Sequence, residues 1–431
     1  MLTPAQAPAV LRLTYLRIKN YRALRDVEFR DLTPLTVLIG PNGSGKSTVL
    51  DALDFLAEAV RGNLVGAWEK RNRFQGMRTR GSEGNIEFEL EIGKTLSFNA
   101  LRYFISVNEV DNKVVVISEK LIEKDKRGET NLSFLAGEEL PYDEASGLPE
   151  YKYTAAVVHN KKSIKKKPKM IKGFNISAVV SMIFNGDKDK SRVSSLLDAD
   201  NPMSGHAAYF IEILDSYRYV HLTDDHLKGF SDAGPREKLS PNGDNLPNVL
   251  YYLHTKHPET LAKITAQMRR WVPGLVDIVT EITSDERLLL RFRDAPFEKP
   301  LPAQYMSDGT MRLAALLTLL YEPDAAGLLG LEEPENELHP QLLAYLAEEL
   351  IAATETRQLL VATHSPALLN ALAPEQVWVL HKGTDGYTRV TRTDELPGIA
   401  AMVEEGTPLG YLWSRNFFDV GNPLDFPTPA Q

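Results

Sequence analysis

The chain has 431 residues, 43% of them hydrophobic, enough to bury a large core and to divide into two or three domains. It contains no cysteine, which excludes disulfides, thiolate metal sites and thiol nucleophiles, and its formal charge of −9 argues against a surface that coats DNA throughout. It has no apolar run of about 18 residues, and Met1 to Val10 lacks a basic stretch. Neither a membrane span nor a secretory signal is therefore expected, and the expected location is cytoplasmic.

The first informative element is Leu35-Thr36-Val37-Leu38-Ile39, a short apolar, partly β-branched run that reads as a buried strand. It leads directly into Gly40-Pro41-Asn42-Gly43-Ser44-Gly45-Lys46-Ser47-Thr48, which fits the phosphate-loop pattern. From Thr48 to Val60, Leu50, Leu53, Leu56 and Ala57 recur at helical spacing. Strand, glycine turn and helix start together aim backbone N–H groups and a positive helix end at an anion. In that arrangement Asn42, Gly43, Ser44, Gly45 and Thr48 cradle the phosphates, Lys46 reaches the β- and γ-phosphates, and the Ser47 hydroxyl sits on Mg²⁺. A glycine-rich turn matching by chance is the competing reading, and the flanking strand and helix weigh against it.

Residues 12–120 otherwise read as β-rich. Ile86 to Ile92 alternates apolar and polar as a half-buried strand does, with neighbours at Phe104–Val107 and Val114–Ile117. From Lys124 to Gly147 charge, glycine and proline rise, which predicts loops. Lys161, Lys162, Lys165, Lys166, Lys167, Lys169 and Lys172 then crowd one segment, followed by Lys188, Lys190 and Arg192. Such a stripe can neutralise nucleic-acid phosphates. It fits a solvated lysine loop equally well, and no aromatic residue between Lys161 and Lys172 offers base stacking. Ser177 to Leu197 and Asn245 to Trp271 read as helical, the latter with Leu250, Leu253, Leu261, Ile264 and Met268 on one face.

Three further stretches close the chain: Met306-Ser307-Asp308-Gly309-Thr310-Met311-Arg312, then Leu328-Leu329-Gly330-Leu331-Glu332-Glu333-Pro334, then Val361-Ala362-Thr363-His364-Ser365-Pro366. A strand over Gly327–Leu331 delivers Glu332 and Glu333 to its C-terminal end, where ligands of α/β sheets sit. One carboxylate, Glu332, can help hold a metal, and the other, Glu333, can polarise a water for attack on a γ-phosphate. Taken alone, the pair also fits an acidic helix start. Gln358 to Thr363 is a second buried strand, ending at His364, which there can hydrogen-bond the γ-phosphate or the attacking water; a lone strand-end histidine also fits a structural role. A helix over Gln341–Thr354, a strand over Gln376–Leu380 and a tail, Leu409–Trp413, that docks by packing complete the reading.

On these four stretches the chain resembles ABC-type ATPases of the RecF/SMC kind, close to bacterial ATPases related to the overcoming-lysogenization-defect family. The resemblance covers roughly residues 12–95 and 285–415. It implies an α/β P-loop NTPase of the ABC-ATPase type: a mixed sheet with helices on both faces, an antiparallel β subdomain and an inserted helical region. SMC proteins carry a long coiled coil at that point, but no sustained heptads occur here, so a compact helical insert is expected. The expected division is 1–123, 124–284 and 285–431.

The resemblance also implies roles. Ser307 and Gly309 belong to the signature loop that contacts ATP held by a second subunit, Glu333 is the catalytic glutamate, and His364 is the switch histidine. Lys46 acts with them. Leu338-His339-Pro340 faces the second subunit, and Arg22 touches the nucleotide. Glu332 stands where the family usually has aspartate, and Gln75 matches the Q-loop glutamine by position only. The implied cofactors are ATP and Mg²⁺, and the implied partner is a second copy in a homodimer formed on ATP binding.

The implied work is DNA repair or anti-phage defence, by clamping DNA or by gating a nuclease or other effector encoded nearby, with no membrane partner. The alternative is the ATPase subunit of an ABC transporter, against which stand Asp308 and Thr310 in the signature and the long span between phosphate loop and signature. The segment after His364 is too short for a Toprim nuclease domain, so no nuclease is expected within this chain.

Overall fold

The structure is a computed structural model that describes residues 10–93, 100–125, 128–139, 150–159, 162–165, 169–172, 202–228, 231–232 and 234–422. In chain order, β1 (Leu13–Tyr21) and β2 (Leu24–Arg30) form a hairpin and β3 (Leu35–Ile39) runs into the phosphate loop. After the helix Lys46–Glu58 come β4 (Ile86–Ile92), β5 (Leu101–Val110), β6 (Lys113–Asp125), β7 (Gly128–Glu139), β8 (Glu150–His159), β9 (Lys162–Lys165) and β10 (Lys169–Lys172). These pair into a nine-stranded sheet ordered β10-β8-β7-β6-β5-β4-β1-β2, with β9 beside β8. All its pairings are antiparallel.

The run predicted as loops from Lys124 to Gly147 is therefore strand over Gly128–Glu139, and β6 extends to Asp125. Local composition underweights it because pairing on both edges, with β6 and with β8, supplies what intrinsic propensity lacks. Lys162, Lys165, Lys169 and Lys172 lie in the short strands β9 and β10 rather than in a loop. Lys161, Lys166, Lys167, Lys188, Lys190, Arg192 and the helix expected over Ser177–Leu197 lie outside the described residues.

A helix over Pro202–Ser216 leads into β11 (Arg218–Val220), and β12 (Ser231–Asp232) follows. The helical reading of Asn245–Trp271 resolves into two helices, Leu246–Lys256 and Pro258–Trp271. The break falls at His257, where Pro258 disfavours helical backbone in the residue before it. Then come β13 (Leu275–Ile282), β14 (Arg287–Asp294) and β15 (Leu301–Pro302), which with β12 make a small antiparallel sheet. Then follow helix Asp308–Leu320, called the signature helix after the role expected of Ser307 and Gly309, β16 (Leu328–Glu332), a helix over Leu343–Ala353, β17 (Gln358–Thr363), β18 (Val377–Lys382), β19 (Thr388–Arg392) and two short helices.

The central sheet is ordered β11-β16-β17-β3-β18-β19, parallel except at β19. Its strands read as continuous apolar runs because both faces are covered. Val37, Ile39, Leu329, Leu331, Leu359, Val361 and Val379 point into one core with the signature helix and helix Leu343–Ala353. Leu38, Leu328, Leu360, Ala362, Trp378 and Leu380 point the other way, into a second core with helix Lys46–Glu58 and the nine-stranded sheet. The phosphate-loop helix and the signature helix thus occupy opposite faces of one sheet, as a mixed α/β P-loop fold requires.

Candidate nucleotide site

Strand register brings the motifs to one edge. Ile39 of β3 lies opposite Thr363 of β17, and Ala362 lies opposite Glu332 of β16. The phosphate loop, His364 and Glu333 therefore leave the sheet side by side, at the carboxyl ends of three parallel strands. Gly45 caps the phosphate-loop helix at φ +108°, a conformation open to glycine and costly for other residues.

Lys46 is 5% exposed, and its ammonium donates to the carbonyls of Gly40, at 2.8 Å, and Pro41, at 3.2 Å. Burial pushes it down to about 8, opposed by the charges of Glu333, Glu332 and Glu335. The Ser47 hydroxyl donates to Oε1 of Glu332. The other oxygen of Glu332 accepts from the Tyr219 phenol and lies 3.0 Å from Nδ1 of His221. Burial alone would raise the Glu332 carboxyl, but hydrogen bonds from Ser47, Tyr219 and His221 outweigh it and hold the group below its ordinary range. Burial first, and then the same carboxylate, push the Tyr219 phenol upward.

Glu333 is held in a left-handed conformation, φ +44°, at the first position past β16. Two bonds fix it there: its N–H donates to the Ala362 carbonyl at 2.8 Å, and its carbonyl accepts from Nη2 of Arg312 at 2.7 Å. Arg312 is 2% exposed and also donates to the Leu222 carbonyl at 3.0 Å. The strain is thus over-determined by its surroundings, as at sites where a side chain must be aimed. The Asn336 amide donates to Oε2 of Glu333 at 2.7 Å, and Nε2 of His364 stands 3.5 Å from Oε1. Burial first, then the Lys46 charge, depress His364, so the contact with Glu333 is made by a neutral imidazole near pH 7. The His364 N–H and the Thr363 hydroxyl both donate to Oε1 of Glu335, the former at 3.0 Å.

Other expected residues fall as follows. Asn42 and Gly43 are exposed at the tip of the loop, and Ser44 is buried with Oγ unpartnered. Thr48 is half-buried on the first turn of the helix. Ser307 caps the signature helix, its Oγ accepting from the Thr310 N–H at 3.2 Å, and Asp308 pairs with Lys228 at 2.5 Å. Gly309 lies in the first turn of that helix, on the sheet face opposite the phosphate-loop helix. Arg22 is tied to Asp51 of the phosphate-loop helix at 2.9 Å and to the Gly76 carbonyl at 3.3 Å. Gln75 is exposed in a short helix, Arg73–Met77. His339 caps the turn Pro340–Leu342.

Sequence reasoning missed Tyr219, His221, Arg312, Glu335 and Asn336 as site residues. Alternation in Tyr217-Arg218-Tyr219-Val220-His221 was the available signal, because it marks a strand with three ring-bearing side chains on one face.

Residues 12–201 match the family described as "AAA ATPase domain", and residues 197–370 match "AAA domain, putative AbiEii toxin, Type IV TA system". A segment of 77 residues is 48% identical to the OLD nuclease of Thermus scotoductus, covering 18% of this chain and 14% of that protein. Another of 59 residues is 39% identical to the DNA replication and repair protein RecF of Chlorobium luteolum, covering 14% of this chain and 15% of that protein. Together the two AAA-domain matches run from residue 12 to residue 370, and the chain is an ATPase of that kind. The aligned segments span about a seventh of each of these relatives. Among solved structures this ATPase is similar to an SMC head bound to the C-winged helix domain of ScpA, with TM-score 0.47 and 14% identity over 88% of this chain and 96% of the other. It is also similar to the SMC head domain from Thermotoga maritima, with TM-score 0.40 and 15% identity over 88% and 98%. No helix among the described residues is long and apolar enough to cross a membrane.

Proposed function

We propose that ATP binds with Mg²⁺ where β3, β16 and β17 end, that Glu333 activates the hydrolytic water, and that two copies of the chain close around the nucleotide. The observation that carries this reading is the contact between Ser47 and Glu332, residues from the two ends of the chain that share one site. They fit a divalent cation: two hard oxygen donors in direct contact beside a buried ammonium. Held by Ser47 and Glu332, Mg²⁺ would neutralise phosphate charge and polarise the γ-phosphoryl group.

The protein's own groups then divide the work. Lys46 exchanges the carbonyls of Gly40 and Pro41 for phosphate oxygens, which keeps its ammonium charged in a buried place. Asn336 fixes Oε2 of Glu333, leaving Oε1 on the side of His364 to accept a proton from water. Attack on phosphorus forms one P–O bond and breaks the bond to the bridging oxygen, releasing ADP and phosphate. Neutral His364 donates or accepts a hydrogen bond at the transferred group without competing for the proton.

The placement of the signature helix, across the sheet from the phosphate-loop helix, supports a site completed by Ser307 and Gly309 of a second copy. Likeness to RecF and OLD nuclease segments supports service in DNA repair or anti-phage defence, with DNA or a nuclease effector as partner. In the proposed division, the lobe 1–123 supplies Lys46 and the lobe 285–431 supplies Glu333, while the stretch 124–284 supplies β11 with Tyr219 and His221.

Lys46→Ala and Glu333→Gln test it, read by fluorescent-ATP binding, phosphate release and sedimentation. Lys46→Ala should abolish ATP binding. Glu333→Gln should bind ATP, lose about 10²–10⁴ in turnover and sediment as a dimer with ATP alone. Normal turnover by Glu333→Gln would overturn the assignment.

A further inference from the structure

Glu332 is one methylene longer than the aspartate expected at its position, and a free glutamate would lose rotamer entropy on every metal-binding event. The structure removes that freedom. Tyr217, Tyr219 and His221 alternate along β11 and the residue on either side of it, and their contacts place all three on one face. β11 is parallel to β16, with Tyr219 opposite Gly330 and Val220 opposite Leu331, which sets His221 beside Glu332. The face is that of the phosphate-loop helix, and the Tyr217 hydroxyl donates to the Leu50 carbonyl of that helix at 3.0 Å. The row therefore runs from the helix to the carboxylate.

At its far end the two oxygens of Glu332 have separate duties. Oε2 takes the Tyr219 hydroxyl and Nδ1 of His221 at 3.0 Å, with both donating because a carboxylate can only accept. Oε1 is left facing Ser47. We propose that Tyr219 and His221 are positioning residues that lock the Glu332 side chain so that Oε1 is presented, together with Ser47 Oγ, to a divalent cation. This rests on the site reading above and adds to it a requirement from the middle of the chain, since β11 directly follows helix Pro202–Ser216. Hydrogen-bonded partners behind a ligating carboxylate fix its orientation, and losing them typically costs about 10–100-fold in metal affinity.

The test is binding, not turnover. Fluorescent ATP is bound to the full chain without Mg²⁺ and then titrated with Mg²⁺, for the parent protein, Tyr219→Phe, His221→Ala, His221→Gln and the double variant Tyr219→Phe/His221→Ala. Tyr219→Phe keeps the ring and removes only the hydroxyl, and thermal melting confirms that each variant is folded. The expected result is metal-free ATP binding within about twofold of the parent throughout, with the Mg²⁺ midpoint raised about tenfold in each single loss, more in the double variant, and restored by His221→Gln. Midpoints unchanged in the folded variants, while the parent shows Mg²⁺-tightened binding, overturn the positioning role and leave the site reading intact. ATP binding that weakens equally with and without Mg²⁺ overturns it too, as that is the mark of a merely structural pair. A parent protein whose ATP binding ignores Mg²⁺ overturns the site reading itself.

Discussion

The Ser47 hydroxyl donates a hydrogen bond to Oε1 of Glu332 across 285 positions of sequence. Parallel pairing of β3, β17 and β16 makes the contact possible, because it brings strand ends from both termini to one edge. The middle of the chain adds β11, which pairs with β16 and sets Tyr219 and His221 on the same carboxylate. A loss on either side should therefore register at the other.

Arg312→Met should destabilise the protein and slow it. The substitution leaves the Leu222 and Glu333 carbonyls without their buried donor, at about 1–3 kcal/mol for each unsatisfied group. It also frees Glu333 to relax from φ +44°. Urea unfolding should show a lowered midpoint. Phosphate release should fall more than ATP binding, and equal falls would place Arg312 in the scaffold alone.

Asn336→Ala removes the donor on Oε2 of Glu333. A hydrogen bond to a charged group is worth about 1.5–3 kcal/mol, so turnover should drop about tenfold or more with little change in ATP affinity. Steady-state kinetics separate kcat from KM, and a change confined to KM would contradict the aiming of Glu333 by Asn336.

His364 gives the pH dependence. Its folded-state value lies below the ordinary 6.5, through burial and then through Lys46. Between the depressed value and 6.5 the unfolded chain binds more protons than the folded one. His364 thus contributes stability that is complete above about 6.5 and is lost as pH falls through that window. Lys46→Met removes the second cause, so the His364 titration followed by NMR should move upward. No movement would mean that burial acts alone.

Gly330 tests the row of side chains from β11. A Cβ at this position would lie 2.3 Å from the Tyr217 hydroxyl oxygen and 3.0 Å from the ring carbon bearing it. Gly330→Ala should cost about 1–3 kcal/mol by overpacking, and Tyr217→Phe should recover part of that loss. A double-mutant cycle on unfolding free energies measures the coupling, and simple additivity would contradict the contact.

Much of the core was legible because its signals are local. Leu35–Ile39 and Gln358–Thr363 are apolar without alternation, which is what a strand covered on both faces shows. The loop from Gly40 to Ser47 carries its chemistry in its glycines and lysine. Strands Gly128–Glu139 and Lys162–Lys165 were not legible, because partners on their flanks make them rather than their own propensities. Tyr219 and His221 escaped for a related reason. Nothing in residues 217–221 says that β11 will lie beside β16, and only that register sets a phenol and an imidazole on Glu332. Arg312 closes the stretch Met306–Arg312 with no role visible from the sequence, yet its guanidinium acts on backbone beside Glu333.

The most direct test of the shared site is anomalous diffraction from crystals of Glu333→Gln grown with ATP and Mn²⁺ in place of Mg²⁺. The expected map has a manganese peak bound by both Ser47 Oγ and Glu332, with the triphosphate against Lys46. A peak remote from either residue, or a triphosphate bound away from Lys46, would contradict a site assembled from the two ends of the chain.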